Sequence, residues 1–465
     1  MPLLRLLFAR LIAVVAVAGL IVQPAAAQSI LRDAETEALL QDMLDPLVVA
    51  AGMPPGSVDV VLINDPSINA FVAGGQRIYI HSGLINAAET ANEVQGVLAH
   101  ELGHITGGHI ISSYDGYGKA ARIQLLSTLA AIAAMALGAG EAGMGLMGLG
   151  QQAAIGSFLS FSRTQESAAD AAAVEYLTTA GISGQGVVSF FQKLQNQEYR
   201  YGYSQDDDAG FARTHPLTGD RISRLQADLE ADPAWAQADL EATIGGTSPL
   251  SELQRRFVQV KAKLYGYLAK PADTLRVYPA QMTSVAARYA RAYAYHKDAR
   301  IADALAETQA LIASEPGNPY FLELQGQVLL ESGKPAEALP ALREATALSG
   351  NEPLIAATFG HALIASEDPA NLDEAERVLR TAVARDRENP FAWYQLGVVY
   401  ASRGDLPRAR LASAEQQIMS QRPMEALRNA EMAESALPNG SPDWLRAQDV
   451  AMQARAELEQ ARQRQ

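Results

Sequence analysis

The feature that most constrains the fold of this chain is a spaced repeat in its C-terminal half. Gly326, Gly360 and Gly397 stand at the same point of three similar units, 34 and 37 residues apart. An alanine follows each glycine after 12, 15 and 12 residues, at Ala338, Ala375 and Ala409, and Pro319, Pro353 and Pro390 repeat the same two intervals. Small residues at matched positions let paired helices cross closely. The pattern therefore predicts helix pairs that stack into an α-solenoid.

The period of 34 residues is that of the tetratricopeptide repeat. The three extra residues of the longer interval lie in an insertion between Asp368 and Asp373. Ala292 and Ala304 supply an earlier, weaker copy, so residues 285–465 are predicted to form a tetratricopeptide-like repeat domain. Residues 244–284 are predicted to be a linker with connecting helices. The concave face of such a solenoid binds extended or helical segments of partner proteins.

An HExxH motif at residues 100–104 is the strongest functional signal. Residues four apart share one face of a helix, so His100 and His104 can direct ring nitrogens at one zinc ion, about 2 Å from each. Glu101 lies one step around the helix. Its carboxylate can act there as general base towards a water molecule that zinc makes more acidic. The motif predicts metal-dependent hydrolysis of peptide bonds.

A zinc site of this kind needs a third protein ligand. In one group of HExxH proteins it is a histidine ten residues after the first, but Ile110 occupies that position here. His109 is one residue out of register and is predicted to be a polar residue near the helix end. Glu166 is a better candidate, because it lies with Asp170, four residues on, along a helix face of small residues. Glu166 is predicted to bind the metal and Asp170 to orient a ligating imidazole.

Three motifs in this order resemble the M48 family of zinc metallopeptidases. They are HExxH; Ser162-Arg163 with Glu166 and Ala169-Asp170; and Thr214-His215-Pro216 followed by Arg221-Ile222. The whole chain is similar to a periplasmic branch of that family, in which tetratricopeptide repeats follow the peptidase domain. The resemblance implies a mainly helical, gluzincin-type domain with a small antiparallel sheet over residues 28–243. It also implies that His100, His104 and Glu166 bind one zinc ion per chain and that Glu101 is the base.

The resemblance also implies a role for His215. In the family the histidine of this motif lies on a loop near the metal and occupies its open position, which keeps the protease latent. His215 can alternatively stabilise the oxyanion that develops during hydrolysis, and Arg221 is a second candidate for that task. The sequence leaves these assignments open.

A small sheet is predicted upstream of the HExxH helix. Residues 58–63 and 77–81 are rich in β-branched side chains, residues 69–72 lie between them, and Gly74 and Gly75 mark a turn. An edge strand beside the active-site helix would hold a substrate in extended form through main-chain hydrogen bonds. His81, at a strand end, is predicted to be structural.

The first residues indicate export. Arg5 and Arg10 precede an apolar run from Leu11 to Val22, and residues 25–27 are alanines, which suit signal peptidase. Residues 1–27 are therefore predicted to be a cleavable signal peptide, with a single membrane anchor as the alternative. The absence of cysteine excludes disulfides, thiol catalysis and a lipoprotein anchor. A net charge of −15 without a basic block argues against binding to nucleic acid and to anionic lipid.

Residues 125–150 form a second apolar segment, apart from the predicted signal peptide. Leu125 to Leu137 is apolar, and the following residues to Gly150 are rich in glycine and methionine. The unbroken part is short for a membrane span. It is predicted to form a helical hairpin over the active site or a loop that touches a membrane or a partner.

The predicted architecture is thus an α+β zinc peptidase followed by an α-solenoid. The resemblance implies a periplasmic endopeptidase that cleaves misfolded or stalled proteins during outer-membrane protein assembly, with possible chaperone activity. Its expected partners are unfolded substrates, β-barrel precursors and their assembly machinery. One alternative is a chaperone or scaffold with a latent zinc site, and another is a membrane-associated M48 protease.

Overall fold

A computed structural model describes residues 29–109, 162–201, 215–240 and 251–463. The predicted signal peptide and residues 125–150 lie outside the described residues. Of the helices that are described, none is long and apolar enough to cross a membrane. The chain divides into two units. One contains the strand at residues 29–31 with residues 45–235, and the other contains residues 32–44 with residues 236–465.

The first unit contains a four-stranded sheet. Its strands are β1 (Ser29–Leu31), β2 (Asp59–Asn64), β3 (Ala70–Val72) and β4 (Arg77–His81), in the order β1-β2-β4-β3. The expected wholly antiparallel sheet is wrong in one respect, because β2 and β4 run parallel. The chain reverses direction between β2 and β3, and again at the turn where Gly74 and Gly75 have positive φ. Two reversals restore the direction of β2, so β4 lies parallel to it and β3 takes the edge.

Helices make up the rest of the first unit that the structure describes. They are α1 (Ala34–Ala50), α2 (Ser82–Ala87), α3 (Ala91–Thr106), α4 (residues 162–180), α5 (Gln185–Tyr201) and α6 (Gly219–Glu230), followed by a 3-10 helix at Pro233–Leu240. Residues 34–44 of α1 belong to the second unit and residues 45–50 to the first. The expected peptidase domain starting at residue 28 did not anticipate this division.

Two glycines on α3 bring neighbouring helices close to the HExxH motif. A Cβ atom at Gly103 would lie 2.7 Å from the carbonyl oxygen of Ala169 on α4, so only glycine permits that crossing. A Cβ atom at Gly96 would lie 2.5 Å from the Cβ atom of Val187 on α5. The side chain of Thr90 accepts a hydrogen bond from the backbone of Glu93 and caps the start of α3. The close approaches at Gly103 and Gly96 place α4 and α5 directly against the helix that carries the motif.

The second unit is a series of helices arranged in pairs. They are α7 (Glu252–Leu268), α8 (Pro271–Val277), α9 (Val285–Lys297), α10 (Ile301–Ser314), α11 (Pro319–Glu331), α12 (Pro335–Leu348), α13 (Pro353–Ala365), α14 (Leu372–Arg385), α15 (Pro390–Ser402), α16 (Leu406–Met419), α17 (Pro423–Ala436) and α18 (Pro442–Gln463). The mainly helical fold with a small sheet and a C-terminal helical repeat is confirmed.

The repeat residues lie where the spacing predicts. Pro319, Pro353 and Pro390 begin α11, α13 and α15, where a missing backbone N–H costs nothing. Cβ atoms at Gly326 and Gly360 would lie 2.4 and 2.5 Å from Cγ of the leucine at residue 342 and residue 379, respectively. The extra residues of the longer unit form a 3-10 turn at Pro369–Asn371.

A buried ion pair ties residues 33–35 to the second unit. Lys263 Nζ on α7 lies 2.6 Å from Asp33 Oδ2 and 3.2 Å from Glu35 Oε2. The hydroxyl of Tyr289 donates a hydrogen bond of 2.6 Å to the same Glu35 oxygen. Ala34 packs in an apolar cluster with Leu322 of α11 and with residues of α12 and α13. The start of α1 is therefore part of the core of this unit.

Candidate metal centre

Four side chains converge in the first unit. His100 and His104 come from α3, Glu166 comes from α4, and His215 lies just before α6. All four are buried, and each offers one ligand atom within 4.8 Å of the other three. The one-turn spacing on α3 and the close crossing at Gly103 explain how residues so far apart in the chain meet.

Distances of 3.2 to 3.4 Å separate several pairs of these candidate ligand atoms. His100 Nε2 lies 3.2 Å from His104 Nε2 and 3.4 Å from Glu166 Oε2. His104 Nε2 lies 3.4 Å from Glu166 Oε1. His215 Nδ1 lies 3.3 Å from His100 Nε2 and 3.2 Å from Glu166 Oε1. Ligand atoms around a tetrahedral zinc ion with bonds of about 2.0–2.1 Å stand about 3.3–3.4 Å apart, so the set fits zinc.

Carboxylates and a guanidinium support the histidines from outside. Asp170 Oδ1 lies 3.0 Å from His100 Nδ1, the ring nitrogen that faces away from the cluster. Arg221 binds Asp170 through both Nε and Nη2. Its Nη1 atom lies 2.9 Å from Glu166 Oε2 and also donates to the carbonyl of Pro216. Arg221 therefore directs its donors at two carboxylates of the site and at the loop that carries His215.

Phe191 on α5 is a neighbour that the sequence did not single out. Its ring packs edge-on against His100, with centroids 5.6 Å apart, and the Arg221 guanidinium lies 5.5 Å from the same ring centroid. Nothing in the local pattern of α5 distinguishes Phe191 from its buried neighbour Phe190. The crossing of α3 and α5 at Gly96 places it in the site.

Glu101 lies beside the cluster and is fully buried. Within the described part of the chain, neither of its carboxylate oxygens accepts a hydrogen bond. His215 lies next to it, with Nε2 3.5 Å from Glu101 Oε1. Burial raises the pKa of Glu101 because the charged form loses its hydration. A buried carboxylate with spare acceptor capacity is suited to take up a proton.

The surroundings of the other groups set their protonation. Burial lowers the pKa of His104 to about 2, which keeps the imidazole in the neutral form that binds metals. Burial alone would also lower the pKa of His100, but hydrogen bonds with Asp170 and Glu166 raise it to about 9. Burial alone would raise the pKa of Glu166, but hydrogen bonds from His100 and His215 keep it low.

The comparisons agree with this site. Residues 34–229 match the model of the family described as Peptidase family M48. The β-barrel assembly-enhancing protease of Yersinia pestis is 26% identical over 379 residues, which cover 79% of this chain and 72% of that relative. The same-named protease of Escherichia coli (strain K12) is 26% identical over 382 residues, or 82% of this chain and 75% of that relative. YrrB, a solved structure described as a TPR protein with an unusual peptide-binding site, is 21% identical and covers 38% of this chain and 91% of its own, with a TM-score of 0.31.

Proposed function

Since residues 34–229 of this chain belong to peptidase family M48, we propose that it is a periplasmic zinc endopeptidase that degrades misfolded or stalled outer-membrane β-barrel precursors. That the chain is a metalloprotease follows from the family match and from the relatives. The location and the substrates are the proposal. The observation that supports it best is the buried cluster of His100, His104, Glu166 and His215.

We assign His100, His104 and Glu166 as the zinc ligands. Zinc, when bound, polarises the scissile carbonyl and makes water more acidic. Asp170 Oδ1, 3.0 Å from His100 Nδ1, orients that ring so that Nε2 faces the metal, while Arg221 holds the carboxylates of Asp170 and Glu166 in place. Arg221 is a positioning residue in this assignment, because its donors already bind those carboxylates.

We assign Glu101 as the general base. Its carboxylate is buried, and neither oxygen accepts a hydrogen bond from the described residues. One of these oxygens can therefore take a proton from the attacking water and pass it to the leaving amide nitrogen. Because burial raises its pKa, the group is a better proton acceptor than an exposed glutamate.

His215 supports a latent resting state. Its Nδ1 atom lies 3.3 Å from His100 Nε2 and 3.2 Å from Glu166 Oε1, close enough to serve as a fourth ligand. A site closed by four protein ligands is typical of structural zinc, whereas catalytic zinc keeps one position open. We propose that the loop at residue 215 must move before hydrolysis. The alternative role for His215, stabilisation of the developing oxyanion, would make the residue part of the catalytic machinery.

The sheet offers a place for an unfolded substrate. In the sheet of the described residues, β3 lies at the edge and contacts α3. Its unpaired side can form main-chain hydrogen bonds with an extended peptide, which tolerates many sequences but excludes folded proteins. We propose that the repeats recruit the protein to be cleaved, as stacked helix pairs commonly bind peptide segments. The name of the relatives, β-barrel assembly-enhancing protease, points to β-barrel precursors and their assembly machinery as the class of partner.

The sequence of the first 27 residues supports the proposed periplasmic location. The apolar run followed by three alanines ending at residue 27 suits a signal peptide that is removed after translocation. The domain limits of 28–243, 244–284 and 285–465 are proposed with the amendment that residues 32–44 group with the repeats.

One observation favours a second candidate function. A zinc site closed by His215 is compatible with a chaperone or scaffold that acts mainly through its repeats. A membrane-associated protease of the same family is the third reading, and it depends on residues 125–150.

The rate of casein cleavage by the mature protein tests the main proposal. Glu101→Gln should bind zinc as the wild type does but lose cleavage by about 10²–10⁴-fold, because it lacks the base. Cleavage by the variant at the wild-type rate would refute the mechanism. No cleavage by either protein, with zinc bound to both, would favour the chaperone or scaffold.

A further inference from the structure

His104 has two ring nitrogens, and only one of them faces the metal cluster. Nε2 lies among the other ligand atoms, 3.2 Å from His100 Nε2 and 3.4 Å from Glu166 Oε1. The opposite nitrogen, Nδ1, lies 2.9 Å from Nδ1 of His109. The two rings meet edge-on, with centroids 4.9 Å apart. This is hydrogen-bond geometry between two imidazoles, one of them a candidate ligand.

The backbone after α3 is shaped to bring His109 to that point. Gly107 ends the helix, and Gly108 has a φ of +62°, a conformation that favours glycine. A Cβ atom at Gly107 would lie 2.5 Å from Nε2 of His109, so a side chain there would displace the ring. The Nε2 atom of Gln165, adjacent to Glu166 on α4, donates a hydrogen bond of 3.2 Å to the carbonyl of His109. The glycine pair and Gln165 together hold His109 against the outer side of His104.

The proton between the two rings can be assigned. An imidazole that binds a metal through Nε2 carries its proton on Nδ1. With a metal on Nε2, His104 would therefore be the donor and His109 Nδ1 the acceptor, and the proton of a neutral His109 would be on its own Nε2. His100 uses Asp170 for the same purpose, at 3.0 Å. The two ligating histidines thus have different outer partners, one anionic and one neutral.

We propose that His109 is a positioning residue that fixes the tautomer and the ring orientation of His104 for metal binding. The inference rests on the metal site proposed above. It also explains why His109 is not itself a ligand. Its Nδ1 lies behind His104, and among the described residues it is not one of the four whose ligand atoms cluster together.

A neutral partner suits this side of the site. Glu101, Glu166 and Asp170 already supply three buried carboxyl groups around the cluster. A fourth carboxylate behind His104 would add negative charge to a poorly hydrated region, whereas an imidazole accepts the hydrogen bond without doing so.

The test is zinc affinity, measured on the full mature chain by competition with a chromophoric chelator. His109→Leu removes the acceptor and should weaken zinc binding by about 10–100-fold, the usual cost of losing an outer partner. His109→Asn can place Oδ1 near the position of Nδ1 and should restore most of the affinity. The absorption spectrum of bound Co²⁺ should shift in the leucine variant and return towards wild type with asparagine. His361→Leu, a half-buried histidine of α13, is the matched control and should change neither.

The outcomes separate this inference from the proposed function. Wild-type affinity in His109→Leu would overturn it, and so would equal losses in the leucine and asparagine variants, since packing rather than the hydrogen bond would then matter. A wild-type chain that bound no zinc would refute the metal site itself and the role of His109 with it. Because the readout is metal binding, a latent protease that cleaves nothing still gives a decisive result.

Discussion

His215 is the residue whose movement we propose converts a resting site into a working one. Its Nδ1 atom completes the set of ligand atoms, and its Nε2 atom lies 3.5 Å from Glu101. The same ring therefore faces both the metal position and the proposed base. Removing it should open the fourth position that hydrolysis requires.

We expect His215→Ala to raise casein cleavage by about tenfold or more, equivalent to about 1.4 kcal/mol in the activation barrier. The reason is that three protein ligands still hold the metal and water can reach it. The double variant with Glu101→Gln should stay inactive, which would show that the gain comes from this site. A collapse of activity in His215→Ala, with zinc retained, would instead mean that the histidine takes part in catalysis.

Some residues of the site can be predicted from their spacing in the sequence, and others cannot. His100, Glu101 and His104 could be selected from spacing alone, since one helical turn relates the two histidines. Glu166 and Asp170 needed a further premise, that a metal ligand lies on another helix. The position of His109 is out of register for a ligand, and its contact with His104 depends on a chain reversal at Gly107 and Gly108.

At the scale of elements, helix α1 shows how a buried charge organises packing. Lys263 on α7 is 5% exposed and faces Asp33 and Glu35 at the start of α1. Burial alone would lower the pKa of Lys263, but the nearby carboxylate of Asp33 raises it, so the lysine stays charged. Lys263 thus joins helix α7 to the first residues of α1, because its charge and the charges of Asp33 and Glu35 need each other as partners.

We expect Lys263→Met to destabilise the second unit by about 3–5 kcal/mol, because it leaves the buried Glu35 and the partly buried Asp33 without their cation. Hydrogen exchange should accelerate over residues 33–44, and the denaturant midpoint should fall. Arg256→Met is the matched control: its partner Asp42 is 56% exposed, so its loss should cost less than about 1 kcal/mol. Similar effects of the two variants would contradict a special role for Lys263.

At the scale of the whole molecule, the candidate metal centre and the repeat helices belong to different units. The four candidate ligands belong to the first unit, and helices α7 to α18 belong to the second. Each unit has its own buried groups, and a metal bound only by folded protein stabilises the unit that holds it.

We expect removal of the metal by a chelator to destabilise the first unit selectively. Zinc present at about 1,000 times its dissociation constant contributes about 4 kcal/mol to folding. Hydrogen exchange should therefore become faster in α3 and α4 and remain unchanged in α11 to α16, and added zinc should reverse the change. Equal acceleration in both units would contradict the assignment of the metal to the first.

The sequence alone determined the features that depend on near neighbours. The intervals of 34 and 37 residues specified which glycines, alanines and prolines recur, because a helix pair is a local structure. Only the tertiary structure decided what depends on contacts between distant residues. It placed β2 parallel to β4, grouped residues 32–44 with the repeats and brought His215 next to the other three candidate ligands. These three outcomes depend on contacts between segments that lie far apart in the chain. The sequence contains no regular interval that would reveal such contacts.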